Sequence, residues 1–271
     1  MKTPSDIDKT SLLPDEIDQF RKRCNELAKA KLVKPIQINC LDEFHSVLRA
    51  KREAEVYDTN RTVYRGVERV REHDLIPKIG RPNIKWKKND WKTQEAEMFR
   101  MFQERAPSYF TSTRFPENNW EHLFFAQHYG LPTRLLDWSR NPLVALYFAV
   151  AGKHEGDSAV YVLKDNKMPF NWRGCKKSPL ECKGFGSFAK VIPPSNSERI
   201  VAQSGLFTIH ANPKAALDAS HVDCIVIPKE LRRSFKRMLH QYGVHEASIK
   251  PGFDGLCSHL FWLRTDDHAP H

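Results

Sequence analysis

The chain of 271 residues lacks several features that would assign it directly to a class of protein. Its six cysteines form no CxxC pair, and no apolar run approaches the roughly 20 residues that span a bilayer. It has no P-loop, no GxGxxG and no GxSxG motif, which argues against the common nucleotide-binding and hydrolase signatures. The opening residues MKTPSDIDKT are polar, so we expect no signal peptide, no membrane contact and a reducing, cytoplasmic location.

The sequence also lacks histidines and cysteines at the spacings that are typical of metal sites. The chain has twelve histidines, but their positions match no strong zinc template, and the pair at positions 240 and 245 is not typical of one either. We therefore predict no metal site.

An excess of positive charge is present instead. Lysine and arginine number 43 against 33 acidic residues, which gives a net charge of +10. A positive field of this size favours polyanionic partners, namely RNA, DNA, an acidic partner or an anionic membrane surface. Hydrophobic residues make up 40 % of the chain, enough for a substantial core, and the length suits one domain with an N-terminal elaboration.

Hydrophobic periodicity predicts both helices and strands along the chain, and we expect an α+β fold. Asn141 and Pro142 are good first residues for the short apolar helix that follows them. Thr93 is predicted to cap a helix that ends near Arg105, and residues 229–242 to form a basic helix with Tyr242 facing inward. Residues 198–210 read as one strand with a bulge near Gly205.

Two motifs resemble the FRG-domain family. Tyr64-Arg65-Gly66 matches the aromatic-Arg-Gly motif that names the family, and AQHYGLPTRLLDWSRNPLVALYFA, residues 126–149, is similar to its central segment almost throughout. The resemblance extends over roughly residues 60–260. It implies an N-terminal helical elaboration over residues 1–60 and an FRG domain over residues 61–265.

A second resemblance, to ADP-ribosyltransferases, concerns the order of a few residues. Those enzymes have an Arg-Gly pair on an early strand, a strand that ends in Ser or Thr, an A-x-x-F-A helix and a late acidic or amide residue. Here the order is Arg65-Gly66, Ser139, Ala145 to Ala149 and Gln203, with Gln in place of the usual Glu. The resemblance implies an ADP-ribosyltransferase-like fold with a mixed or antiparallel central sheet and flanking helices, and NAD as the substrate.

The chemistry of NAD suggests roles for these residues. A forked cation such as Arg65 suits a pyrophosphate, and Gly66 permits close approach of a backbone. Tyr147 or Phe148 is expected to cover the nicotinamide ring. Because Gln203 cannot act as a base, Asp137 and His128 are the candidates for proton transfer, beside Arg65, Ser139 and Gln203 in the catalytic set. Tyr64 and Arg134 complete the predicted cofactor-binding set.

The loop IKWKKNDWK interleaves aromatic residues with lysines, a pattern that suits single-stranded nucleic acid. We therefore predict nucleic-acid contacts at Trp86, Lys87, Lys88 and Trp91, although a lysine-rich loop is also a common solvated surface.

The sequence thus favours an NAD-dependent ADP-ribosyltransferase that modifies nucleic acid, RNA in preference to DNA. Such an activity would be toxic, and by analogy an inhibitory antitoxin partner or a role in defence against phage would follow. Three alternatives stay open: an ADP-ribosyltransferase acting on protein, a non-catalytic nucleic-acid-binding module, and a nuclease that uses His128 and Asp137. The simplest interpretation of Arg65 is also open, an ion pair with a carboxylate.

Overall fold

The computed structural model describes residues 10–31, 34–52, 62–72, 74–86, 90–109, 116, 118–165, 167–181, 184–195 and 197–265. Seven strands lie within these ranges: β1 Pro35–Gln37, β2 Thr62–Val67, β3 Leu135–Ser139, β4 Ser158–Lys164, β5 Phe188–Val191, β6 Gly205–His210 and β7 Val222–Ile227. The same ranges hold nine α-helices: α1 Pro14–Lys31, α2 Leu41–Arg52, α3 Trp91–Arg105, α4 Asn119–His128, α5 Pro142–Val150, α6 Glu198–Ala202, α7 Arg232–Gln241, α8 Glu246–Ile249 and α9 Phe253–Leu263.

All seven strands form one sheet in the order β1-β7-β4-β2-β3-β6-β5. The β1–β7 pair is parallel and the other pairs are antiparallel. This arrangement confirms the prediction of an α+β fold with a mixed central sheet and flanking helices. No helix among the described residues is long and apolar enough to cross a membrane.

The N-terminal segment is part of the same sheet and core. Its short strand β1 adds to the sheet edge beside β7, with Pro35 opposite Cys224. Phe20 of α1 and Phe44 of α2 are fully buried in the cluster that covers the central strands. The predicted boundary at residue 60 stays a prediction, but the segment before it contributes a strand as well as helices.

The short apolar helix α5 forms as its local sequence predicts. The Asn141 side chain accepts a hydrogen bond from the Leu143 amide at 2.9 Å, and Pro142 occupies the first turn, where its missing N–H is not needed. Most of the helix is buried, and it packs against β2. A helix that is apolar on every face is stable only when it is buried, because it has no polar face to expose to water.

Three local predictions are wrong. The first five residues of the predicted strand 198–210 form α6, and only Gly205–His210 is strand, since Ser204 turns the chain with φ +48°. The cap of α3 is Asp90, which accepts from the Lys92 amide at 3.1 Å, rather than Thr93. Tyr242 is 53 % exposed because it follows the end of α7.

Candidate functional site

A large cleft lies where β2 and β3 separate. Strand β2 is paired with β4 from Thr62 to Val67. Within the described residues, its sole registered pair with β3 is Tyr64 with Ser139. Arg65 and Gly66 on one strand and Asp137 on the other line the cleft beyond this pair, and its volume is about 1130 Å³. The separation of two neighbouring strands therefore places residues from the sheet interior beside an open space.

The walls of the cleft carry many ionisable side chains. The basic residues are Arg65, Arg69, Lys78, Arg81, His128 and Arg199, and the acidic residues are Glu68, Glu72, Asp74 and Asp137. Both signs are thus present in one cavity, as a ligand with an anionic group and a separate polar reacting centre would require.

Arg65 is held at the strand separation by β3. Its Nη1 donates to the Asp137 carbonyl oxygen at 2.6 Å and lies 3.5 Å from the Asp137 carboxylate, while only 14 % of the side chain is exposed. Burial lowers the pKa of the Arg65 guanidinium, Asp137 raises it, and nearby Arg81 lowers it. The guanidinium remains charged, so a second anion in the cleft would stabilise it. The ion-pair interpretation is therefore correct in part, because Arg65 contacts Asp137 and still lines the cleft.

Asp137 presents an oriented carboxylate to the cleft. Its side chain is 56 % exposed, and both carboxylate oxygens accept from Nε2 of Gln127, at 3.0 and 3.1 Å. Oε1 of Gln127 accepts in turn from the buried Thr133 hydroxyl at 2.6 Å. This chain fixes the Gln127 amide, and the amide fixes the carboxylate, so Asp137 is oriented although it is open to solvent.

Ser139 and Gln203 use their polar groups to connect chain segments. The Ser139 hydroxyl donates to the Gln203 carbonyl at 2.7 Å and accepts from the Asn141 amide at 3.0 Å, and the residue is 5 % exposed. The Gln203 side chain donates to the Ile249 carbonyl at 3.1 Å. Both residues line the cleft, but these bonds give them a positioning role at its margin.

His128 lies in the cleft at the end of α4. Its Nε2 is 3.2 Å from the Ser197 hydroxyl. Burial and then Arg199 lower the pKa of His128, while Asp137 raises it. The ring is therefore neutral at physiological pH and able to accept a proton. The predicted helix end is confirmed, since α4 stops at His128 and Gly130 has φ +86°.

The predicted close backbone approach at Gly66 is made by α5. A Cβ atom on Gly66 would lie 1.8 Å from the Ala145 carbonyl oxygen and 2.7 Å from the Ala149 amide nitrogen. Gly66 also borders the cleft, but helix packing alone is enough to require a glycine there.

The three predicted aromatic residues have different positions. Phe148 is partly exposed and lines the cleft, whereas Tyr147 is buried and its hydroxyl donates to Glu246. Tyr64 is fully buried at the cleft wall. Phe148 is thus the aromatic ring of α5 that a ligand could contact, and the prediction of a ligand contact for Tyr147 is corrected by its position in the core.

Arg134 is likewise placed away from the cleft. Its guanidinium binds Glu95 of α3 through two hydrogen bonds, Nε to Oε1 at 2.9 Å and Nη2 to Oε2. The side chains are 7 % and 4 % exposed. Arg134 therefore forms a buried ion pair that joins β3 to α3, instead of the predicted contact with a cofactor.

The predicted nucleic-acid segment is described in part. Lys87 and Lys88 lie outside the described residues. Trp86 and Trp91 are both partly exposed, and the Lys92 ammonium lies 5.8 Å from the centre of the Trp91 ring. The two Trp rings therefore keep some surface for contact with a partner.

Sequence reasoning missed several cleft residues. Lys78 and Arg81 come from a loop that Pro and Gly residues marked only as irregular, and Gln127 gave no chemical signal of its own. A further difference lies outside the cleft, where His240, His245 and His259 come together with one ring nitrogen of each within 4.8 Å of the others. The spacing of the histidines in the sequence did not predict this cluster, because His259 is brought in by a separate helix, and the expectation of no metal site stays a prediction.

Comparisons with known proteins give one result that bears on this site. The family model of the FRG domain matches residues 60–158, which supports the resemblance to that family. The matched range contains Arg65, Gln127, Asp137 and α5, and thus most of the cleft. No curated protein and no solved structure matches the chain.

Proposed function

We propose that the chain is an NAD-dependent ADP-ribosyltransferase that modifies nucleic acid, and RNA in preference to DNA. The observation that carries the proposal is the cleft between β2 and β3, where the desolvated cation Arg65 lies beside the oriented carboxylate of Asp137. The volume of about 1130 Å³ is slightly above the range of roughly 300–1,000 Å³ that is common for ligand cavities, and it leaves room for a dinucleotide.

The proposed binding mode follows from charge. The pyrophosphate of NAD would bind Arg65 and Arg81, since a guanidinium can form two hydrogen bonds with one phosphate. Lys78 donates to the Gly130 carbonyl at 2.8 Å, and the two remaining hydrogens of its ammonium group are enough to bind a phosphate oxygen as well. Phe148 and the 70 % exposed Tyr129 are the aromatic surfaces available to the nicotinamide or adenine ring.

The proposed chemistry assigns proton transfer to Asp137 rather than Gln203. The bond between the nicotinamide nitrogen and the ribose C1′ breaks, nicotinamide leaves with the electron pair, and C1′ becomes cationic, as in glycoside cleavage. The acceptor oxygen or nitrogen forms the new bond to C1′, and its proton goes to Asp137 or to neutral His128. The Gln203 amide is bound to the Ile249 carbonyl and would only support this arrangement.

A nucleic-acid acceptor is supported by the net charge of +10 and by the partly exposed rings of Trp86 and Trp91. RNA is preferred in the proposal because single strands offer unstacked bases to aromatic side chains. Binding of such an acceptor should weaken steeply with salt. An inhibitory antitoxin partner and a role in phage defence belong to the same proposal, because transfer to cellular RNA would be toxic.

Nicotinamide release from NAD tests the proposal. The purified protein is assayed with RNA, with single-stranded DNA, with a protein mixture and alone, and the products are analysed by mass spectrometry. Arg65→Ala should weaken NAD binding about 10- to 100-fold, and Asp137→Asn should lower turnover about 100-fold or more with a smaller effect on binding. Arg100→Ala is the matched control, because Arg100 is an exposed residue of α3.

The outcomes separate the competing functions. ADP-ribose on protein instead of RNA would redirect the acceptor and keep the cleft chemistry. RNA cleaved without NAD, and lost with His128→Ala and Asp137→Asn, would favour a nuclease. RNA binding with no turnover of NAD by folded protein would refute the transferase and leave a binding module.

A further inference from the structure

A second group of ionisable side chains lies outside the cleft and comes from α7, α8 and α9. His240 is in the last turn of α7, His245 is the N-cap residue of α8, and His259 is in α9. Tyr147 of α5 connects this region to the core through its bond to Glu246 of α8. The three histidines thus join three helices that are separate in sequence.

The three rings are close enough to share one ion. One nitrogen of each ring lies within 4.8 Å of the other two. The ring centres are 4.1 Å apart for His245 and His259, 5.1 Å for His240 and His259, and 5.5 Å for His240 and His245. Three nitrogens on a tetrahedral zinc ion, with bonds of about 2.05 Å, are separated by about 3.3 Å. Small rotations of the side chains would therefore bring the nitrogens to ligand distance.

The surroundings restrict which nitrogens are available. Nδ1 of His245 accepts a hydrogen bond from the Ser248 amide at 3.3 Å, so its Nε2 is the atom that can bind an ion. That contact also fixes the ring, as hydrogen bonds to the second nitrogen do in protein metal sites. His259 is 7 % exposed and His240 and His245 are partly exposed, so the cluster is shielded from water on one side and open on the other.

One positively charged side chain, Lys236, lies close to the cluster. The Lys236 ammonium lies 5.1 Å from the centre of the Trp262 ring, and this ring also contacts His240 and His259. Lys236 donates to the Ala151 carbonyl at 3.1 Å, which holds the ammonium toward the end of α5. A dication at the histidines would thus face Lys236 across an aromatic ring.

We propose that His240, His245 and His259 form a binding site for Zn²⁺, with a water molecule as the fourth ligand. The cluster found among the described residues consists of three imidazoles, which favours Zn²⁺ over Mg²⁺ and Ca²⁺, since those two ions prefer oxygen. The ion links α7, α8 and α9. Through α8 it positions Ile249, whose carbonyl accepts from Gln203 at the margin of the cleft. The site is independent of what the cleft binds, so it stands whether or not the transferase proposal is correct.

Zinc binding by protein without an affinity tag tests this site. After removal of metal with a chelator, titration calorimetry with Zn²⁺ should show one ion per chain. A saturating amount should raise the melting temperature by about 5 °C or more, because the ion binds only the folded arrangement. Co²⁺ in the same site should give the visible absorption of a tetrahedral complex.

Variants identify the ligands. His240→Gln, His245→Asn and His259→Gln should each lower zinc affinity more than about 100-fold, since changes outside the ligand shell alone cost 10- to 100-fold. The Asn at position 245 preserves an N-cap acceptor for α8, so this variant keeps the fold while it removes a ligand. His45→Gln, on the exposed surface of α2, is the control and should bind zinc normally.

Two results would overturn the proposal. One is the absence of stoichiometric zinc binding and of any rise in melting temperature in the wild-type protein. The other is undiminished binding by the folded His245→Asn variant or by the triple variant, which would place the ion at other residues.

Discussion

The buried ion pair between Arg134 and Glu95 leads to a prediction that separates a structural role from a cofactor role. The pair joins β3 to α3, with side chains that are 7 % and 4 % exposed and two hydrogen bonds between them. Replacing Arg134 with Met keeps most of the volume and removes the charge. Glu95 then remains buried without its partner, and the cost of that isolated carboxylate determines the size of the effect.

Loss of one member of a buried pair costs about 3–5 kcal/mol in the free energy of unfolding. We therefore expect Arg134→Met to be destabilised by about that amount. The double variant Arg134→Met/Glu95→Leu should recover most of the loss, because two apolar side chains of similar volume require no compensation. An exposed pair on the same helix gives the matched control: Arg100 and Glu104 are 63 % and 55 % exposed, and Arg100→Met should cost at most about 1 kcal/mol.

Urea unfolding, followed by tryptophan fluorescence, measures these differences from the shift in midpoint at constant slope. The proposed binding of NAD is measured in parallel on the folded variants, and Arg134→Met should leave it unchanged. A loss below about 1 kcal/mol, or a double variant no better than the single one, would refute the argument from burial. A stable Arg134→Met protein with weakened NAD binding would restore Arg134 to the cofactor site.

Two further predictions concern the same sheet. Gly66→Ala should destabilise the protein by at least about 3 kcal/mol in urea, because the new Cβ would lie 1.8 Å from the Ala145 carbonyl; Gly184→Ala, with nothing within 4 Å, should stay within about 0.5 kcal/mol. Burial, and then Arg65, lower the pKa of His210 from 6.5 to about 4. As the pH drops, His210 is therefore protonated in the unfolded chain before it is protonated in the folded one. The free energy of unfolding should fall by about 3 kcal/mol between pH 6.5 and pH 4, and His210→Gln should largely remove this pH dependence.

Elements with strong local signals could be predicted from the sequence. Helix α5 begins at Asn141 and Pro142 and is apolar throughout, and α4 ends before Gly130, so cap residues and composition were sufficient. Helix α6 was misread as strand because Ile200 and Val201 favour β structure. The turn after α6 is held by a residue that is distant in sequence, since Arg140 donates to the Ser204 carbonyl. No local sequence pattern predicts such a contact.

The candidate site was likewise predictable only in part. The residue types in the cleft were predicted, because Arg65, Asp137 and His128 carry their chemistry in the side chain. Their arrangement could not be predicted, because it depends on the separation of β2 from β3. It also depends on Gln127, whose side-chain amide has no recognisable role until its hydrogen-bond partners are known. The histidine cluster was missed for the same reason, since two helix packings bring His259 to the other two rings.

The segment 126–149 supplies Asp137, which contacts Arg65, and several other residues that line the cleft. The end of α4 supplies Gln127 and His128, β3 supplies Asp137, and α5 packs on the adjacent Gly66. Most polar groups of this segment are satisfied by the fold itself, as the bonds of Ser139 show. The Asp137 carboxylate differs, because it is oriented by Gln127 and still 56 % exposed. In the proposed transferase, turnover should therefore depend on the pair Arg65 and Asp137, and substitutions of Ser139 should reduce stability before they reduce turnover.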